Sequence, residues 1–154
     1  MLLNHYFSMV TDIIFRYDGM LDKYMGDGLM AVFGAPMEKD DDAERAILAA
    51  KEMKEALTSM RAQQGTQKGT FDIRIGINTG RVVAGNIGSP RRMDYTVIGD
   101  PVNIASRLES IAKPNQILIG EETYKAVKNK FEISKIGPKK VKGRSAEIMV
   151  YELT

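Results

Sequence analysis

A chain of 154 residues, 44% hydrophobic and 27% charged, is long enough for one domain with a full core. Its net charge of +2 gives no strong pull towards nucleic acid or an anionic membrane, and its lack of cysteine excludes disulfides and thiolate metal sites. No apolar run approaches the roughly 18 residues that span a bilayer, and the N-terminus carries no signal-peptide pattern. The expected place of the domain is therefore the cytoplasm, without membrane contact. An anchor of the parent protein would lie outside this chain.

Residues 2–17 read as a helix, with Leu3, Phe7, Val10, Ile14 and Tyr17 on one apolar stripe and Gly19 as its stop. His5, the single histidine, reads as a surface residue rather than a metal ligand. Residues 20–25 and 29–33 read as short strands, joined by the tight turn Gly26-Asp27-Gly28. Taken alone, Asp27 is an ordinary turn aspartate. Asp40, Asp41 and Asp42 lack the alternating spacing and the glutamate of a calcium loop. Acidic residues at a helix start explain them. That helix is expected over residues 41–61, with Ala43, Ala46, Ile47, Ala50, Met53 and Leu57 inward, and residues 63–70 form a polar loop.

Residues 71–78 alternate Phe71, Ile73, Ile75 and Ile77 against polar or small neighbours, the pattern of a strand with one buried face. A second strand follows over 81–87, then a turn into a third over 93–98. Gly99-Asp100-Pro101 ends it, with Asp100 as N-cap and Pro101 as the first helical residue. Val102, Ala105, Leu108 and Ile111 recur at helical spacing. Short elements complete the chain: a strand at 116–119, a helix at 121–127, and strands at 131–136 and 145–152. Helices interleave with antiparallel strands without strict βαβα alternation. That points to a single α+β sandwich with helices on a sheet.

Asn103 and Arg107 are four apart and share the helix face opposite the stripe. An amide beside a guanidinium suits an anionic, oxygen-rich ligand, and it equally suits a solvated surface. Residues 138–144, PKKVKGR, match the crude pattern of a nuclear localisation signal and read better as a phosphate-facing loop. The GNIG at 85–88 mimics the loop of an RNA-binding KH domain but lacks its helix pair. No Walker A motif is present.

Three blocks are more specific than their parts. GMLDKYMGDGLMAVFGAP (19–36), IRIGINTGRVVAGNIGS (73–89) and DYTVIGDPVNIASRLES (94–110) resemble, in order and spacing, the signatures of the class III nucleotidyl cyclases. The resemblance covers nearly the whole chain. It implies a ferredoxin-like βαββαβ core. It also implies an adenylate cyclase reaction, in which ATP gives cyclic AMP and pyrophosphate with two divalent ions, Mg2+ or Mn2+.

Carried over by resemblance, Asp27 is a metal carboxylate, and Lys23 and Thr96 read the base. Asn103 orients the ribose and Arg107 stabilises the transition state. Arg91 and Lys142 hold phosphate, with Arg144 nearby. The resemblance further implies a homodimer with shared sites, one subunit giving the metal aspartates and Arg91, the other the remaining groups. The base choice also has a chemical argument. Lysine donates and suits adenine N1; a threonine hydroxyl accepts from N6; guanine would want a carboxylate.

One departure stands out. The family's first metal aspartate lies in a central strand before the first helix, and this chain starts within that helix. Asp12 and Asp18 sit in the wrong context to replace it. The expectation is a catalytic domain at residues 1–154, incomplete at its N-terminus, lacking that strand and inactive alone. A non-catalytic nucleotide-binding or dimerisation module and a guanylate cyclase remain as alternatives.

Overall fold

The run α1 (Leu2–Arg16), β1 (Met20–Met25), β2 (Gly28–Val32), α2 (Asp42–Gln64) and β3 (Ile75–Ile77) follows the last five elements of a βαββαβ core. After it come β4 (Val83–Ser89), β5 (Arg92–Ile98), α3 (Asp100–Ile111), β6 (Ile117–Gly120), α4 (Glu121–Val127), β7 (Ile133–Lys140) and β8 (Glu147–Leu153). The computed structural model describes residues 2–25, 28–35, 37–64, 72–89, 92–140 and 147–154, with backbone alone at 2–4, 25, 61–64, 86–89 and 92–96. The strands form three sheets: β1-β2, β3-β6-β8-β7 and β4-β5. Among the described residues, the β1–β2 hairpin bonds to no third strand. No described helix is long and apolar enough to cross a membrane.

The chain divides into two compact units. In the first (Met1–Asp72, Ala84–Thr96), α1 packs on α2. Val10, Ile13 and Ile14 are buried from α1; Ile47, Ala49, Ala50, Leu57 and Met60 are buried from α2. The buried face of α1 thus includes Ile13, beyond the expected stripe. Gly19 does not supply the helix stop. Asp18 takes the left-handed position (φ 60). Its N–H bonds Phe15 O at 3.0 Å, and that of Gly19 bonds Ile14 O at 2.9 Å. This is a Schellman ending with aspartate where glycine is usual. Gly19 is small for a different reason: a Cβ there would lie 2.7 Å from Phe33 Cε2 and 2.9 Å from Ile14 Cγ2.

Arg45 ties the end of α1 to the start of α2. Its Nη1 donates to Tyr17 O at 2.7 Å, its Nε to Asp41 Oδ1 at 3.0 Å, and its Nη2 to Asp42. Its guanidinium lies 5.9 Å from the Phe33 ring centroid. The aspartates at 41 and 42 are therefore arginine partners, in keeping with a helix start rather than a cation loop.

In the second unit (Ile73–Val83, Val97–Thr154), β3 pairs parallel with β6, and β8 runs antiparallel between β6 and β7. Every residue of β6 is buried, as a central strand requires. Leu108, Ala112, Leu118 and Val150 form a buried cluster, with Ile104 and Ile148 against it. The Tyr124 and Tyr151 rings stack at 4.0 Å. Burial, with Glu121 second, pushes the Tyr151 hydroxyl above its ordinary value.

Three strands differ from the sequence reading, β4 by running over Val83–Ser89 rather than 81–87. β3 is three residues long, not eight, although Ile73 before it is buried. β7 continues through Pro138, Lys139 and Lys140. It is an edge strand, where a proline without an N–H is tolerated, and Gly137 (φ 117) absorbs a register shift after Lys135. The basic loop expected at 138–144 is therefore partly strand. Its remainder lies outside the described residues.

Candidate functional site

Helix α3 carries Asn103 and Arg107, and its position follows from glycines. Gly76 of β3 lies flat against it: an added Cβ would sit 2.5 Å from Glu109 N and 2.9 Å from Leu108 Cβ, with Ala105 O closer still. Gly80 meets its first turn, where a Cβ would be 2.5 Å from Pro101 Cγ. Leu108, fully buried, faces the sheet. The inward stripe runs through Ile104, Leu108 and Ala112, whereas Ile111, expected inward, is 43% exposed.

The helix also starts one residue earlier than its sequence suggests. Gly99 is the N-cap (φ 149), Asp100 is in the first turn, and no side chain caps the end. A φ of 149 is open to glycine and rarely to other residues. Asp100 then acts through its charge at the positive end of the helix dipole.

With that face locked, Asn103 and Arg107 project to solvent. Both are exposed, and among the described residues neither side chain has a hydrogen-bond or ion-pair partner. A guanidinium and an amide four residues apart on a held helix can grip an oxyanion and a neighbouring hydroxyl together.

Lys23 belongs to the first unit, and a bulge aims it. Leu21 pairs with Ala31, but Lys23 pairs with Met30, so Asp22 is an extra residue on β1. Strict alternation would put Lys23 on the face of Leu21. The bulge puts it on the opposite face and leaves Tyr24, the partner of Leu29, with Leu21. Tyr24 meets α1: its ring lies 5.1 Å from Phe7, edge-on, and its hydroxyl 3.4 Å from Thr11 Oγ1. Lys23 is thereby turned to the side of the hairpin away from α1 and is exposed.

The spacing of α3 thus brings Asn103 and Arg107 together, while Lys23 lies in the other unit. Thr96 falls in β5, whose backbone alone is described there. Asp27, Arg91, Lys142 and Arg144 lie outside the described residues. So does the expected metal centre. Among the described residues no group of three or more His, Cys, Asp or Glu side chains could hold an ion. Sequence reasoning missed the bulge and the two helix-facing glycines. Gly76 and Gly80, on either side of Asn78, were the available signal for the glycines.

A family model for the adenylate and guanylate cyclase catalytic domain matches residues 1–154. Adenylate cyclase 1 of Rhizobium meliloti is 34% identical over 99% of this chain. This chain spans 23% of that protein's length, so it corresponds to under a quarter of it. The crystal structure of the adenylyl cyclase CyaB from P. aeruginosa superposes with a TM-score of 0.93 at 39% identity, covering 99% of this chain and 80% of that one. The guanylate cyclase domain of RhGC from Catenaria anguillulae, solved in complex with GTP, superposes at 0.88 with 32% identity, covering 99% and 81%.

Proposed function

Because this chain belongs to the class III nucleotidyl cyclases, the family of the adenylate and guanylate cyclase catalytic domain, we propose that it converts ATP to 3′,5′-cyclic AMP and pyrophosphate. The observation that carries this reading is the Asn103–Arg107 pair, exposed and, among the described residues, without a side-chain partner, on a helix whose sheet-facing side is locked.

In this reaction the ribose 3′-oxygen attacks the α-phosphorus. The new O3′–Pα bond forms as the bond to the β-phosphate bridge breaks, and the hydroxyl proton leaves to solvent. Little covalent chemistry falls to the protein, so position and charge decide the rate. Arg107 donates to the α-phosphate oxygens as charge gathers there. Asn103 holds the ribose so that the 3′-oxygen points at phosphorus. Arg91, Lys142 and Arg144 take the remaining phosphate charge. Lys23 donates to adenine N1 and Thr96 accepts from N6. Asp27 is the carboxylate this chain offers to the Mg2+ or Mn2+ that would offset triphosphate charge. Two copies share each site, so the working unit is a homodimer.

Initial rates of the full natural protein with ATP and with GTP test the assignment. ATP should be preferred, and Lys23→Glu with Thr96→Cys should erode that preference. A faster rate with GTP than with ATP in the unsubstituted protein refutes it. The likeness to a guanylate cyclase domain bound to GTP favours that competing reading, and the same assay decides between them. Formation of neither product would support a nucleotide-binding module without catalysis.

A further inference from the structure

Helix α3 has no side-chain cap of its own, and Pro101 in its first turn has no N–H to give. Within the helix, the Val102 and Asn103 N–H groups bond Gly99 O at 3.1 and 3.5 Å, but these bonds do not tie the turn to the rest of the unit. The segment after β3 does so. Asn78, half-buried, donates from Nδ2 to the Pro101 carbonyl at 3.1 Å. Its Oδ1 lies against Gly120 so closely that a Cβ at Gly120 would overlap it. The next residue is also tied, Thr79 Oγ1 meeting Thr123 Oγ1 at 2.7 Å, with Thr123 fully buried. Residues 76, 78 and 80 therefore all meet α3, running from its middle to its first turn. Gly76 and Gly80 set how near the helix lies. Neither sets its rotation about its own axis or its position along it, because neither has a directional group. The Asn78 amide is a directional contact to that turn.

We propose that Asn78 is a positioning residue that holds α3 in the rotation and register at which Asn103 and Arg107 meet the substrate. This rests on the cyclase reading of that helix face. Asn103 is two residues beyond the anchored carbonyl and Arg107 six, so any roll of the first turn carries both side chains with it. Displacements of about 1 Å at a reacting centre cost on the order of 10²-fold in rate. The helix itself remains, since Leu108 and Ala112 still anchor its sheet-facing side. The defect belongs in turnover rather than in folding.

The test uses the full natural protein with Asn78→Asp, which keeps the shape but sets a carboxylate against the Pro101 carbonyl, and Asn78→Ser as a second variant. The expected result is a kcat lower by about 10- to 100-fold at nearly unchanged KM. It should come with faster amide hydrogen exchange confined to residues 102–105. Combined with Arg107→Ala, either variant should lower kcat by clearly less than the product of the two separate losses, because part of the Asn78 effect passes through the same guanidinium and only the part carried by Asn103 remains. Full multiplication of the two losses would overturn the proposal, as would normal kcat with normal exchange. An Arg107→Ala protein with undiminished turnover would instead bring down the cyclase reading of this face, and the catalytic role of Asn78 with it. Unchanged exchange at 102–105 in a protein that does need Arg107 would overturn the anchoring alone.

Discussion

Lys23 stands opposite Met30 on the β1–β2 hairpin because Asp22 is an extra residue in the register of β1. That one residue separates the two duties of the strand. Leu21 and Tyr24 serve the α1 side, and Lys23 is turned the other way. Deleting Asp22 should therefore be tolerated: Leu21 and Lys23 become neighbours and still face opposite ways. Inserting an alanine between Met30 and Ala31 should not be. It places a residue opposite Asp22 in the register and restores strict alternation, which turns Lys23 towards α1. The deletion should keep its ATP preference with activity within about 10-fold, and the insertion should lose base discrimination, which hydrogen-bonded sites support at roughly 10⁴-fold or more. Rates with ATP and GTP for both variants check this. Equal behaviour of the two would refute the role of the bulge.

The order of elements was legible because most carry a strong local period. Residues 121–127 form the expected helix end to end, and β1 has its expected limits. What was not legible depended on contacts between distant residues. Nothing local in TDIIFRYDGM says that Asp18, not Gly19, would take the left-handed turn; the Phe33 ring against Gly19 decides what size fits there. The reach of β7 through Pro138 depended on its being an edge strand, a property of the sheet as a whole. Of the site, Asn103 and Arg107 could be paired from spacing alone. The facing of Lys23 could not, because a bulge leaves no signature in a six-residue strand.

Gly76→Ala should be among the most damaging small substitutions in the second unit. The new methyl meets backbone atoms of α3 at Ala105 and Glu109, and a backbone cannot rotate away as a side chain can. Overpacking of this kind costs about 1–3 kcal/mol. Either the helix moves out from β3 or the strand shifts. Thermal unfolding should show the loss. Turnover measured below the transition should fall as well, because the helix that moves carries Arg107. A stable variant with full activity would contradict the close approach.

The Arg45 junction should give the first unit an acid-sensitive component. Its hydrogen bond to Asp41 is the largest influence on that carboxyl and holds its pKa below the ordinary value. A depressed folded-state value means stabilisation that is present above the unfolded pKa of about 3.9 and lost as pH falls through the folded value. Asp41→Asn should therefore flatten the acid limb of stability below about pH 4 while leaving neutral stability little changed, since the Asp41 carboxylate is 53% exposed and its charge is screened. Arg45→Met should do more at neutral pH. It removes the donor to Tyr17 O and takes the charged partner from Asp42, whose side chain is only 19% exposed and keeps the Lys39 N–H. Denaturant unfolding at pH 3, 5 and 7 checks both. An acid limb unchanged in Asp41→Asn would contradict the assignment.

Arg107→Ala should lower kcat by roughly 10²–10³ with little change in KM, because its contact strengthens as charge develops on the α-phosphate. Arg107→Lys should rescue little, since one ammonium cannot replace a planar fork that bonds two oxygens. If sites are shared across a two-fold axis, the loss can be complemented. An Asp27→Ala subunit brings an intact Arg107, and an Arg107→Ala subunit brings an intact Asp27. In a mixed dimer one of the two sites then receives both defects and the other receives neither. Co-purified heterodimers carrying different tags should therefore recover about half the unsubstituted rate, while each parent homodimer stays near its own low level. Heterodimers no more active than the parents would show that each subunit builds its site alone, and the proposed division of residues between subunits would have to be abandoned.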